Sequence, residues 1–154
     1  MKTRGGKIGG YFKSSNDAAR KHYGGGRVSH TDEWNQTIKY LEDEGVEVSF
    51  EGNAMVYGVI SGGGRAGNLR IDLNASISAL RHEVYHYEHD KARNFPGARF
   101  CFESYAERWR SEFWAYMVEL KFARQLRNHA LAKEIVAEMR EIRQALREFY
   151  LWNS

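Results

Sequence analysis

Apolar residues in the second half of the chain recur at helical spacing and predict three long helices. These helices are expected over residues 76–90, 103–128 and 131–150. In the last of them the apolar side chains step by three or four residues and form one stripe: Leu131, Ile135, Met139, Ile142, Leu146 and Phe149. A stripe of this kind is typical of a helix that buries one face against a neighbour.

The first half of the chain predicts one helix and three strands. Helical spacing indicates a helix over residues 32–44, which Gly45 ends. Alternating apolar and polar residues then predict strands over 46–50, 55–60 and 69–73, and the turn at Gly52 and Asn53 favours a hairpin between the first two. We therefore expect an α+β fold, in which the helices over 32–44 and 76–90 back a small, mostly antiparallel sheet.

Glycine is concentrated toward the N-terminus, where all but one of the 15 glycines lie at or before Gly67. Residues 1–27 combine glycine runs with a short helical piece over 16–22, so we expect a flexible arm that contributes little to the core. Residues 28–154 would then form a single domain. The run from Gly62 to Gly67 matches a dinucleotide fingerprint in its letters, but a strand pattern follows it, which favours a hairpin loop.

Composition excludes several classes of protein. The 154 residues are 42% hydrophobic and 28% charged, as in an ordinary globular domain, and the net charge of +3 does not indicate a nucleic-acid partner. We find no membrane span and no signal peptide in the pattern. The single cysteine, Cys101, excludes a disulfide framework and a cysteine-rich zinc site. Histidines and carboxylates would have to hold any metal ion.

One segment carries clear chemical information: His82-Glu83-Val84-Tyr85-His86, which has the pattern H-E-x-x-H. On a helix, residues i and i+4 lie one turn apart on one face, so the two imidazoles can bind one Zn²⁺ ion. Glu83 would then lie beside the metal and act as a general base. His89 and Asp90 lie too far along the same helix to close on the metal, so we expect them to contact the ligands instead.

The chain resembles the zincin metallopeptidases, and in particular the small H-E-x-x-H domains at the C-termini of bacterial polymorphic toxins. The resemblance extends from about residue 44 to about residue 124: a G-V-x-V strand at 45–48, a strand before the active-site helix, the segment ALRHEVYH, and a later helix containing S-E-F-W-A-Y. It implies a zincin-like fold, zinc-dependent hydrolysis of peptide bonds in a protein substrate, and a toxin or effector role.

The third zinc ligand is the most open part of the predicted site. The metzincin pattern needs a histidine or aspartate where this chain has Ala92, so the resemblance points to glutamate-type zincins, whose third ligand is a glutamate on a later helix. Three glutamates are candidates: Glu103, Glu107 and Glu112. We choose Glu112, because the small Ala115 three residues later would let the active-site helix approach closely, and keep Glu107 as the alternative.

The expected mechanism assigns proton transfer to Glu83 and stabilisation of the oxyanion to a nearby donor. Candidates for that donor, or for residues that contact the ligands, are His89, Tyr105 and Tyr116. The substrate in zincins typically lies along a sheet edge, and we expect the strand over 69–73 to provide it.

Several alternatives and partners remain open. A toxin domain would be exported within a larger polypeptide, delivered into a target cell and bound by a cognate immunity protein. The same motif also suits an intracellular regulatory peptidase. A non-catalytic zinc-binding module would show a closed metal site, and a metal-free helical interaction module would expose the stripe at Ile135, Met139 and Leu146.

Overall fold

A computed structural model describes residues 17–153 of the chain. Its elements in chain order are α1 (Ala18–Tyr23), α2 (Gly26–Ser29), α3 (Thr31–Asp43), β1 (Glu47–Phe50), β2 (Met55–Gly58), β3 (Asn68–Ile71), α4 (Ile77–Ala92), α5 (Ala98–Cys101), α6 (Tyr105–Gln125) and α7 (His129–Trp152). The fold class is α+β, as predicted, and the predicted long helices correspond to α3, α4, α6 and α7.

The three strands form one mixed sheet in the order β1-β3-β2. β1 runs parallel to β3, and β2 runs antiparallel to it. The predicted hairpin between the first two strands is therefore wrong, and so is the prediction of a mostly antiparallel sheet. β3 lies between them, where its alternate residues Leu69 and Ile71 are 1% and 0% exposed.

The central position of β3 also corrects the expected substrate edge. Both sides of β3 are hydrogen-bonded to other strands, so the strand over 69–73 offers no free edge to a peptide. The edges of the sheet are β1 and β2. The glycine-rich run from Gly62 to Gly67 connects the antiparallel neighbours β2 and β3, so its interpretation as a hairpin loop is confirmed.

Polar caps define where the three long C-terminal helices begin. The side chain of Ser76 accepts a hydrogen bond from the Ala79 amide at the start of α4. Ser104 and Asn128 cap α6 and α7 in the same way. α4 packs on β2 with one face and on α6 with another, and α7 packs on α6. This layering places α4 between the sheet and α6.

The apolar stripe of α7 is buried. Ile135 and Leu146 are 0% exposed, Met139 is 9% exposed, and all three belong to the core. The stripe thus packs as its spacing predicts. The exposed stripe at Ile135, Met139 and Leu146 that a metal-free helical interaction module would require is not observed on α7.

The segment just before residue 28 is more structured than the sequence indicated. Ala18 and Ala19 on α1 are 2% and 1% exposed, and Gly26 on α2 is buried against Trp34. The buried Asp17 accepts hydrogen bonds from the backbone amide and the hydroxyl of Ser76, at 2.7 and 2.6 Å. Asp17, Ala18, Ala19 and Gly26 are therefore buried against the rest of the fold, contrary to expectation, while the other residues of 17–27 are partly or fully exposed. Residues 1–16 of the predicted arm lie outside the described residues.

Candidate metal centre

Three buried side chains converge between α4 and α6. His82 and His86 lie one turn apart on α4, and Glu112 faces them from α6. The Nε2 atoms of the two histidines are 3.3 Å apart. Glu112 Oε2 lies 3.3 Å from His82 Nε2, and Glu112 Oε1 lies 3.1 Å from His86 Nε2. All three side chains are 0% exposed, and together they form a group that could hold a metal ion.

The structure separates the three glutamates that the sequence offered as a third ligand. Glu112 joins the two histidines, and Ala115, one turn later on α6, is 0% exposed. The side chain of Glu107 lies near Arg93 and Arg110, at 3.7 and 3.8 Å, and Glu103 is exposed before α6 begins. Of the candidates, only Glu112 belongs to the buried group.

Each histidine is held from behind by a side chain of α6. His82 Nδ1 lies 2.7 Å from Glu119 Oε2, and His86 Nδ1 lies 3.2 Å from Ser111 Oγ. An ionised carboxylate only accepts, so the contact with Glu119 favours the tautomer of His82 that carries its hydrogen on Nδ1; a neutral ring in this tautomer presents the lone pair of Nε2 to Glu112. Partners of this kind commonly orient metal-bound histidines.

The donor set fits a small divalent cation. Both oxygens of Glu112 are buried and make no hydrogen bond within residues 17–153, although each faces a histidine nitrogen. A lone pair and a carboxylate oxygen that face each other repel unless a proton or a metal ion lies between them. A four-coordinate ion with bonds of about 2.0–2.1 Å separates its ligand atoms by about 3.3–3.4 Å. The three observed separations, 3.1–3.3 Å, are close to this value.

The protonation states also suit metal binding, which requires neutral imidazoles and ionised carboxylates. Burial lowers the pKa of His86 from its ordinary 6.5 to about 4, although the Glu112 carboxylate opposes the change. Burial raises the pKa of Glu112, but His86 and His82 outweigh this effect and hold the pKa well below its usual range. The lowered pKa of His86 favours the neutral imidazole that metal binding requires, and the lowered pKa of Glu112 favours a carboxylate.

Glu83 lies on the same helix and is 1% exposed. Its Oε2 atom accepts a hydrogen bond of 2.8 Å from the backbone amide of Tyr57 on β2. Since β2 is an edge strand whose other side pairs with β3, this amide points away from the sheet toward α4. The edge of the sheet nearest the site is thus β2.

The remaining predicted residues lie in different places. His89 Nδ1 is 3.3 Å from the Ser111 hydroxyl, which also contacts His86, so His89 is connected to a ligand through one side chain. The Tyr116 ring stands edge-on to His82, with ring centroids 4.7 Å apart. Tyr105 instead faces α7, where its hydroxyl accepts a hydrogen bond from Arg143. Asp90 bonds the Tyr57 hydroxyl rather than a ligand.

Sequence reasoning missed Glu119, Ser111 and Tyr57. Glu119 follows Glu112 by seven residues, which places both on one face of a helix, so spacing alone could have suggested it once Glu112 was chosen. Ser111 adjoins Glu112 in sequence. Tyr57 contributes its backbone amide to Glu83, and no side-chain pattern reveals that role.

Comparisons of the chain with protein-family models, with curated proteins and with solved structures find no match. Within residues 17–153, no helix combines the length and the apolar character needed to cross a membrane. The functional argument therefore rests on the geometry of the site.

Proposed function

We propose that the chain is a zinc-dependent metallopeptidase domain of the glutamate-type zincin class. His82, His86 and Glu112 would hold the ion, and Glu83 would act as general base. One observation carries the proposal: the ligand atoms of the H-E-x-x-H histidines and of Glu112 lie 3.1–3.3 Å apart in a fully buried group. Two imidazoles and one carboxylate are a donor set that catalytic zinc sites use.

When bound, Zn²⁺ would supply Lewis acidity to a water molecule and to the carbonyl oxygen of the scissile bond. The protein residues supply the rest of the chemistry. The Glu83 carboxylate would take a proton from the attacking water and pass it to the leaving amine nitrogen. The Tyr57 amide would hold that carboxylate in place, while Glu119 and Ser111 keep both imidazoles turned toward Glu112. Tyr116, beside His82, is the residue we propose as oxyanion donor.

The substrate would bind along β2 rather than along β3. β2 is the antiparallel edge of the sheet, and its residue Tyr57 contacts Glu83 directly. An extended peptide added to a sheet edge gains backbone hydrogen bonds and presents its side chains alternately to either face. Because the Tyr57 amide already donates to Glu83 and α4 packs on β2, the peptide would bond the remaining outward groups of this edge, beside Glu83.

The burial of the site favours a second candidate, a non-catalytic zinc site. Glu83 and the three candidate ligands are at most 1% exposed, so a substrate could reach them only after the surrounding side chains move. Tyr85 is one such side chain: it is partly exposed, it lies on α4, and its ring centroid is 6.0 Å from that of His86. A closed structural zinc site requires no such opening.

The biological role that we propose, a bacterial toxin or effector module, is supported only by the resemblance of residues 44–124 to toxin domains. In that role the domain would act inside a target cell, and a cognate immunity protein would bind it. An intracellular regulatory peptidase with the same motif would have the same chemistry and a different partner. A measurement of peptide cleavage tests the chemistry that the toxin module and the regulatory peptidase would share.

The experiment that tests the proposal compares zinc-loaded wild type with Glu83→Gln and with the control Glu88→Gln, on a mixed peptide library analysed by mass spectrometry. Glu88 lies on the same helix but is exposed and accepts a hydrogen bond from Tyr40. We expect Glu83→Gln to keep its zinc and to lose roughly 10²–10⁴-fold in cleavage rate, as removal of a general base does. Cleavage at the wild-type rate by Glu83→Gln would contradict the mechanism. A zinc-loaded wild type that cleaves nothing would favour the structural site.

A further inference from the structure

Helix α4 contacts one residue of the edge strand at two separate points. The Tyr57 backbone amide donates to Glu83 Oε2 at 2.8 Å, and the Tyr57 hydroxyl donates to Asp90 Oδ2 at 2.6 Å. Glu83 and Asp90 are seven residues apart, which places them two turns apart on the same face of α4. The backbone and the side chain of Tyr57 are therefore fixed by the same helix.

The far end of the Tyr57 side chain is also held from the sheet. Its hydroxyl accepts a hydrogen bond of 2.9 Å from the amide of Gly67, just before β3. A Cβ atom at residue 67 would collide with the carbonyl oxygen of Gly58 and would lie 3.1 Å from the Tyr57 hydroxyl. This close approach requires glycine at position 67. The hydrogen bond from the Gly67 amide holds the Tyr57 hydroxyl at the start of β3, the strand that pairs with β2.

A buried aspartate at position 90 is not expected if its only role is to stabilise the fold. It is 1% exposed, and its Oδ1 atom makes no hydrogen bond to any residue in 17–153. Burial raises the pKa of Asp90, while the bond from Tyr57 opposes the change. A buried carboxylate with one unbonded oxygen costs folding free energy, which an apolar residue of similar volume would avoid. The benefit must lie in what the carboxylate holds.

We propose that Tyr57 and Asp90 are positioning residues for Glu83. The hydroxyl–carboxylate bond fixes the edge strand against α4, so that the Tyr57 amide stays on Glu83 Oε2 and the Glu83 carboxylate keeps one orientation. The catalytic meaning of this arrangement rests on the proposed function. The arrangement itself can be tested without any activity.

The test measures hydrogen exchange of the residue-57 backbone amide by NMR in the wild type and in Tyr57→Phe, which keeps the amide but removes the hydroxyl. Tyr87→Phe is a matched control. Tyr87 is 1% exposed, its ring lies 5.9 Å from that of Tyr57, and its hydroxyl has no hydrogen-bond partner within residues 17–153. We expect exchange at residue 57 to accelerate about tenfold in Tyr57→Phe and to stay unchanged in the control.

Two Asp90 variants give a second route if Tyr57→Phe does not fold. Asp90→Ala removes the acceptor and should accelerate exchange at residue 57 as Tyr57→Phe does. Asp90→Asn keeps an acceptor oxygen for the hydroxyl and should retain most of the protection. In an active enzyme, Tyr57→Phe should also lower kcat about tenfold, because the Glu83 carboxylate is no longer held in one orientation, and Asp90→Asn, which keeps an acceptor for the hydroxyl, should retain most of the rate.

The outcomes separate this inference from the proposed function. Unchanged exchange at residue 57 in both Tyr57→Phe and Asp90→Ala would overturn the inference, whether or not the wild type cleaves peptides. Suppose that exchange at residue 57 is faster in Tyr57→Phe and Asp90→Ala, while the wild type cleaves no peptide. This result would support the positioning of Glu83 and contradict the peptidase proposal. Equal acceleration in Tyr87→Phe would also overturn the inference, because it would reflect general loosening of the aromatic cluster.

Discussion

Helix α6 packs on α4 with one face and on α7 with another, and both contacts are deeply buried. The two contacts differ in the chemistry of the side chains that they bury. Toward α4 the buried side chains are largely ionisable or polar and include His82, His86 and Glu112. Toward α7 the neighbouring helix presents mainly apolar side chains, with Glu138 as a buried exception. Apolar burial stabilises a fold, whereas buried ionisable groups cost free energy unless they are paired or bind a cation. The difference separates the part of the molecule that supports the fold from the part that we propose performs the chemistry.

The largest effect should follow from a cavity in the apolar contact. Leu146 is 0% exposed, so Leu146→Ala should lower the free energy of unfolding by about 2–5 kcal/mol, measured by urea denaturation. The folded variant should keep its zinc, since the ligands lie between α4 and α6. Leu151→Ala on the same helix, where the side chain is 74% exposed, is the control and should change stability little. Loss of zinc from folded Leu146→Ala would show that the two contacts are not independent.

The contact with α4 should make the metal-free protein sensitive to acid. Burial lowers the pKa of His86 from 6.5 to about 4, so between these pH values the unfolded chain binds a proton that the folded protein does not. The stability present above pH 6.5 should therefore decline as the pH falls toward 4, by at most about 1.4 kcal/mol per pH unit from this group.

Urea denaturation of the metal-free protein at several pH values checks this expectation. The decline should be smaller in His86→Gln, which has no imidazole at this position, and should persist in Leu146→Ala. An equal decline in wild type and His86→Gln would mean that another group causes it.

A smaller effect is expected from Glu119, which contacts His82 Nδ1 and would not touch the metal. Glu119→Gln should weaken zinc binding by about 10–100-fold, because the imidazole loses the carboxylate that orients it and increases its basicity. Competition with a chelator of known affinity gives this value. Glu141→Gln, an exposed glutamate on α7, is the control. Unchanged affinity in Glu119→Gln would remove Glu119 from the account of the site.

Much of the candidate site could be predicted because its information is local. His82, Glu83 and His86 share one helical turn and a half, and the spacing of residues on a helix is fixed by its geometry. The choice of Glu112 depended on a single small residue, Ala115, which is indeed fully buried. Glu119 was missed although it lies on the same face of α6, because its role depends on where the His82 ring points.

The sheet was harder to predict because strand order is not local. The turn at Gly52 and Asn53 is present, and Asn53 has a φ of 61°. However, the Asn53 amide bonds to Asp72 at the end of β3, so the turn leads β2 past β1 to the far side of β3. The alternation of residues in β3 shows that it is a strand, but the burial of Leu69 and Ile71 at the centre of the sheet depends on partners far away in sequence.

The most direct test of the central claim is elemental analysis of the purified protein after zinc loading, with Glu112→Gln and the matched variant Glu107→Gln beside it. Both substitutions remove a carboxylate from α6, but only Glu112 lies within 3.3 Å of the histidine nitrogens. We predict one zinc ion per chain in the wild type and in Glu107→Gln, and a sharp loss in Glu112→Gln. Folded wild type without zinc, or equal zinc content in the two variants, would contradict the account.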